Sequence, residues 1–216
     1  MKKIVLALLV LITAQQAWAQ HAQMETLFSP KTAGEKKGVS VGGYGTAVGK
    51  LTPLNGKLGV LTGLQGGVLL NHKWMLGAGG YGLVNRIDAP RPNVANDNDQ
   101  SLQMWYTGLM TEYTHNPQKL IHWSVGALVG GGGVGRDNWH DRWHDDDDND
   151  RDHGWHDGSG FFVAEPFAGV EMNITRFLRL NLSGSYRFIH GSGTPGISDS
   201  DLSGATFSLG IKAGCF

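Results

Sequence analysis

One stretch constrains the fold of this chain more than any other. Between Phe177 and Phe188, Leu178, Leu180, Leu182, Tyr186 and Phe188 share one parity, and Arg179, Asn181, Ser183, Ser185 and Arg187 share the other. A period of two is the repeat of a β-strand, whose successive side chains point to opposite faces. A soluble core could not bury the two arginines without partners. The pattern instead fits a strand whose apolar face meets lipid and whose polar face lines the lumen of a narrow closed sheet.

Seven other runs alternate in the same way: about Gly38–Lys50, Lys57–Leu70, Trp74–Val84, Leu102–Tyr113, Leu120–Val129, Phe161–Met172 and Ala205–Phe216. In the fifth of the eight, Ile121, Trp123, Val125, Ala127 and Val129 oppose His122, Ser124 and Gly126. After residue 19 no segment carries a long helical pattern or the roughly 20 apolar residues of a membrane helix. The connections are Leu51–Gly56, Asn71–Lys73, Asn85–Ser101, Thr114–Lys119, Gly130–Gly160, Asn173–Arg176 and Ile189–Gly204. Apart from the short first one, the odd-numbered connections are long and the even-numbered ones short. Tight turns at one rim and long loops at the other are the habit of a membrane barrel. The predicted fold is therefore all-β: a single closed, antiparallel, up-and-down transmembrane β-barrel of about eight strands. A soluble periplasmic β-barrel or sandwich that binds a ligand is the alternative.

Glycine supports curvature. The chain has 33 glycines in 216 residues, about twice ordinary usage, and they lie inside the alternating runs, where they suit the bends of a closed sheet. The single cysteine, Cys215, excludes an intramolecular disulfide and reads as a small apolar strand residue. With 18 basic against 19 acidic residues, nothing points to a nucleic-acid partner. Lys2 and Lys3, the apolar run Ile4–Ile12 and the small-x-small triplet Ala17-Trp18-Ala19 form an export signal. The expected organisation is a signal peptide over 1–19, a periplasmic tail over 20–37, and a barrel over 38–216 with a long extracellular loop at 130–160.

The polar parity predicts a lumen network. If Ile174–Arg176 form a turn, Glu171 stands opposite Arg179 and Glu165 diagonal to Arg187, and opposite charges on one face attract. Glu165, Glu171, Arg179 and Arg187 are thus expected to pair inside the barrel. They would serve either as a structural plug or as a proton or ion path. The plug is favoured, because an eight-stranded lumen is filled by side chains.

The stretch from Glu165-Pro166-Phe167-Ala168-Gly169-Val170-Glu171 through Asn173-Ile174-Thr175-Arg176 to Leu180 resembles the penultimate hairpin of small outer-membrane β-barrel proteins of Bacteroidetes-like Gram-negative bacteria. Ser185-Tyr186-Arg187, Leu202-Ser203-Gly204, Glu25-Thr26-Leu27-Phe28 and Gly79-Gly80-Tyr81-Gly82-Leu83 are similar to the same group. The resemblance implies fold and location rather than an activity. It also implies recognition by the barrel-assembly machinery through the C-terminal strand and Phe216. Phe216, however, has the parity opposite to Phe207, Leu209 and Ile211, which calls for a bulge near Lys212–Cys215 or a weak terminal signal.

One segment is compositionally unusual. Trp-His-Asp occurs at 139, 143 and 155, and nine acidic residues and four histidines lie between Arg136 and Gly158. Imidazole with carboxylate suits a divalent metal such as zinc, nickel or copper. The candidate ligands are His140, His144, His153, His156, Asp141 and Asp145. The plain alternative is a solvated loop kept from aggregating by its charge. No cofactor is expected beyond a loosely bound divalent metal such as zinc. The most direct functional expectation is a non-enzymatic, monomeric surface barrel whose partners are outer-membrane lipid and an extracellular ligand at the long loops. The rival is a lipid-modifying enzyme using His190, Ser192 and Asp199 or Asp201 at the rim. No Gly-x-Ser-x-Gly elbow accompanies those residues. Trp74 and Trp123, beside the short turns, read as interface-belt aromatics.

Overall fold

The computed structural model describes residues 40–88, 100–138 and 158–216. Eight antiparallel strands run in chain order: β1 Val41–Leu54, β2 Lys57–Leu70, β3 Trp74–Leu83, β4 Gln100–His115, β5 Ile121–Asn138, β6 Ser159–Asn173, β7 Leu178–His190 and β8 Gly204–Cys215. Each pairs with its neighbour, and β8 returns to β1, closing the barrel. The shortest strand, β3, has ten residues, and a tilted strand crosses a bilayer core in about 9–11.

The register fixes the girth. Stepping between ladder partners from Val41 passes Leu70, Trp74, Tyr113, Val125, Ala168, Gly184 and Phe207, and regains β1 at Leu51, ten residues along. A stagger of that size tilts the strands by about 40° and leaves a lumen just wide enough for side chains. Alternation then sorts the residues. Leu64, Leu109 and Phe207 are 71%, 77% and 51% exposed on the outer wall, whereas Arg187, Lys212 and Glu171 are 0–1% exposed inside. A soluble protein rarely exposes contiguous apolar surface beyond a few hundred Å². Here it encircles the molecule.

Four expectations need correction. The first connection shrinks to Asn55-Gly56, whose φ values of 49° and 72° suit the tight turn that matches strand twist. This lengthens β1 and carries Thr52 and Leu54 inside. The loop expected from Gly130 does not start there: β5 continues to Asn138, because Gly130–Gly133 pair with β4 and β6. A Cβ at Gly132 would stand 2.6 Å from the Tyr106 Cβ and 2.8 Å from the Phe161 ring. Glycine there makes room for inward aromatics rather than marking a loop. The β6–β7 ladder closes with Asn173 opposite Arg179, so Glu171 faces Asn181 instead of Arg179. The reason is local: Asn173 Nδ2 donates to Pro117 O (3.0 Å) and Lys119 O (2.8 Å) of the neighbouring turn, while the amides of Ile174 and Thr175 both bond to Leu178 O. Finally, β8 carries no bulge. Its partners run without a break on both sides, and Phe216 simply continues the inward parity.

Both ends of the lumen are stopped by apolar groups. At the short-turn rim Phe216 packs with Tyr44, Leu69, Met75 and Met110. At the long-loop rim the β7–β8 connection folds inward through a single helical turn, α1 (Asp199–Leu202). It buries Ile197 and Leu202 against Ile87, Val134, Phe161 and Ile189.

Candidate functional site

Between the two apolar stoppers lies a polar lumen in which two Lys–Glu centres dominate. The deeper one is built on Lys212 of β8, whose even parity points it inward. Its ammonium donates to Glu112 Oε1 at 2.6 Å and Oε2 at 2.8 Å, and to Glu171 Oε1. Tyr44 of β1 donates to the Glu112 carboxylate. Glu171 is also met by His122 Nε2 at 3.2 Å and Arg179 Nη1 at 3.6 Å. The Arg179 guanidinium lies 3.7 Å from the Phe216 ring centre, close enough for a cation–π contact. Every charge here is thus paired.

The second centre sits toward the long-loop rim. Lys50 Nζ holds Glu165 at 2.8 and 2.9 Å, and the carboxylate also accepts from Tyr106 (2.8 Å) and Ser185 (2.6 Å). The Lys50 ammonium stands 3.5 Å over the Tyr81 ring. Arg187 turns elsewhere: its Nε and Nη2 donate to Leu202 O at 2.9 and 2.7 Å, and Nη2 to Thr52 at 3.3 Å. It therefore clamps α1 into the mouth. A space of about 20 Å³, lined by Lys50, Glu112, Glu165, Asn181 and serines, separates the centres. That is room for about one water.

All four expected lumen residues are buried inside, but Glu–Arg contact joins just Glu171 and Arg179. Lys50, Glu112 and Lys212, the principal partners, were not anticipated. Their signal was present in the sequence, since each lies on the inward parity of its run. Pairing across non-adjacent strands, such as β4 with β8, could not be read without the girth of the barrel.

Of the rim residues considered for catalysis, the two aspartates are structural. Asp199 accepts from the amides of Gly191 (2.9 Å) and Ser192 (2.8 Å). These bonds, the Gly191 amide foremost, hold its carboxyl below the usual aspartate range. His190 Nδ1 is 3.5 Å from Asp199 and its side chain is 90% exposed, whereas the Ser192 hydroxyl oxygen is buried. Asp201 closes a capping box with Ser198. The carboxylates fasten a loop, and the hydroxyl offers no open nucleophile. The candidate ligands His140, Asp141, His144, Asp145, His153 and His156 lie outside the described residues. Among the described residues no cluster of three or more His, Cys, Asp or Glu could hold a metal.

A closed eight-stranded antiparallel barrel with a charged, packed lumen and an apolar outer wall is a transmembrane β-barrel. The model of the outer membrane protein beta-barrel domain matches residues 4–213, and the chain belongs to that family. Among solved structures it is similar to Neisserial surface protein A, at 12% identity over 82% of this chain and 99% of that one, with a TM-score of 0.54. The N-terminal β-barrel domain of Pseudomonas aeruginosa OprF is similar at 13% identity, with the same coverage and a TM-score of 0.52. At such identities the likeness is one of fold. No curated protein matches the chain.

Proposed function

We propose that this protein is a non-enzymatic barrel of the outer membrane of a Bacteroidetes-like bacterium, exported by the signal peptide at 1–19. Its short turns face the periplasm and its long loops the exterior, with residues 20–37 as a periplasmic tail. The observation that carries the reading is the sealed lumen: ion pairs fill it and apolar stoppers close both mouths. Among the described residues neither a diffusion path nor a substrate cleft remains in the lumen, which leaves the loops as the interaction face. Within them, the acidic, histidine-rich segment is a weak divalent-metal site drawn from His140, His144, His153, His156, Asp141 and Asp145. Histidine ligates when neutral, so capture should fade as pH falls below about 6.5.

Calorimetric titration of zinc tests this with the refolded chain and a variant in which 140–157 is replaced by a short turn. The ends are chosen to spare Arg136, which anchors the β7–β8 loop by donating to Pro195 O. Zinc uptake confined to the full chain supports the site; equal uptake by both sinks it.

A further inference from the structure

At the rim opposite the long loops each turn carries one cation: Lys73 in the β2–β3 turn, Lys119 in the β4–β5 turn and Arg176 in the β6–β7 turn, each exposed, with no carboxylate in any of the three turns. Two of these turns flank an aromatic platform on the outer wall. Trp74 of β3 packs on Tyr113 of β4 (4.9 Å between ring centres), Tyr113 meets Trp123 of β5 edge-on (6.2 Å), and His115 stacks on Trp123 at 4.9 Å. Trp74 and Trp123 stay about half exposed. The frame is well anchored. Thr114 N donates to Lys73 O at 2.8 Å, and Lys119 O accepts from Asn173 Nδ2.

We infer that this rim is a binding site for an anionic phospholipid of the inner leaflet, of the phosphatidylglycerol class. The phosphate sits between Lys73 and Lys119, and the glycerol and upper acyl chain lie on Trp74, Tyr113 and Trp123. Two independent features converge. Indole and phenol rings at one height mark a headgroup interface, and basic groups there, without acids, select negative charge over a zwitterion. Among the described side chains, the carboxylates nearest this rim, Glu112 and Glu171, point inward and are held by Lys212. The inference rests on the membrane orientation proposed above.

Native mass spectrometry of the refolded full chain, released from micelles holding equal phosphatidylglycerol and phosphatidylethanolamine, tests it. Wild type should retain phosphatidylglycerol preferentially. K73Q and K119Q should each lower that preference about fivefold. K57Q, at the opposite rim in an exposed pair with Asp88, should leave it unchanged. Equal retention of the two lipids by wild type, or a preference untouched in K73Q/K119Q, overturns the inference. Heat-dependent gel mobility is read on the same samples. A wild-type chain without the mobility shift defeats the membrane reading itself, whereas a retained shift with equal lipid binding defeats this inference alone.

Discussion

Lys212→Met is the most informative perturbation of the lumen. The lysine is 1% exposed and reaches two carboxylates, each of them buried. Glu171 keeps His122 and Arg179 after the substitution, but Glu112 keeps only the Tyr44 hydroxyl among the partners described above. An uncompensated charge remains, and breaking a buried pair from one side costs about 3–5 kcal/mol. With a urea slope of about 2 kcal/mol/M, the unfolding midpoint should fall by about 2 M in reversible folding from lipid vesicles. Glu112→Gln in the same chain removes the stranded charge. E112Q/K212M should therefore recover about 2 kcal/mol relative to the sum of the single changes, the coupling expected of residues in contact. A loss below about 1 kcal/mol for K212M, or strict additivity in the double variant, would show that water already solvates Glu112. The account of a sealed lumen would then be wrong.

Phe216→Ala removes the ring packed on Tyr44 at 5.5 Å and under Arg179; unfolding in vesicles should show a loss of about 3 kcal/mol, and an unchanged stability would place Phe216 outside the lumen. Gly132→Leu forces a side chain into Tyr106 and Phe161, so folded yield should collapse, while Gly45→Ala, with open space around its Cβ, should fold normally. The depressed acidity of Asp199 gives the loop a pH signature. A carboxylate held below its unfolded value stabilises above that value, about 3.9, and its contribution vanishes as pH falls through the lower folded value. Amide exchange at Gly191 and Ser192 should therefore be protected at neutral pH and accelerate, relative to the intrinsic rate, only in strong acid; Asp199→Asn should remove the protection at pH 7.

The outer wall was legible because lipid imposes a strict rule: every second residue must be apolar over the whole span. Leu178–Phe188 and Ile121–Val129 obey it, and both lie in the strands that their alternation predicts. The ends were not legible, and for reasons that differ. Asn55-Gly56 carries a tight-turn signature, but Pro53 and Thr52 before it looked like loop residues. Gly130–Gly133 has no side chains to alternate, so its strand character depends on Tyr106 and Phe161 arriving from neighbouring strands. The lumen was half legible. Parity gives which residues point inward, yet Lys212 meets Glu112 across the barrel, a pairing set by the ten-residue stagger rather than by any adjacent hairpin. Phe216 shows the same limit: its even parity, opposite to that of Phe207, Leu209 and Ile211, looked like a defect, and it is a stopper placed by an unbroken strand.

Fractionating cells that express the full chain, and running the membrane fraction on a gel with and without boiling, tests whether the barrel is closed and embedded in lipid. A lipid-embedded barrel should be recovered in the outer-membrane fraction, and the unheated, still-closed form should migrate faster than the boiled chain. Recovery as a soluble protein whose mobility ignores heating would contradict it.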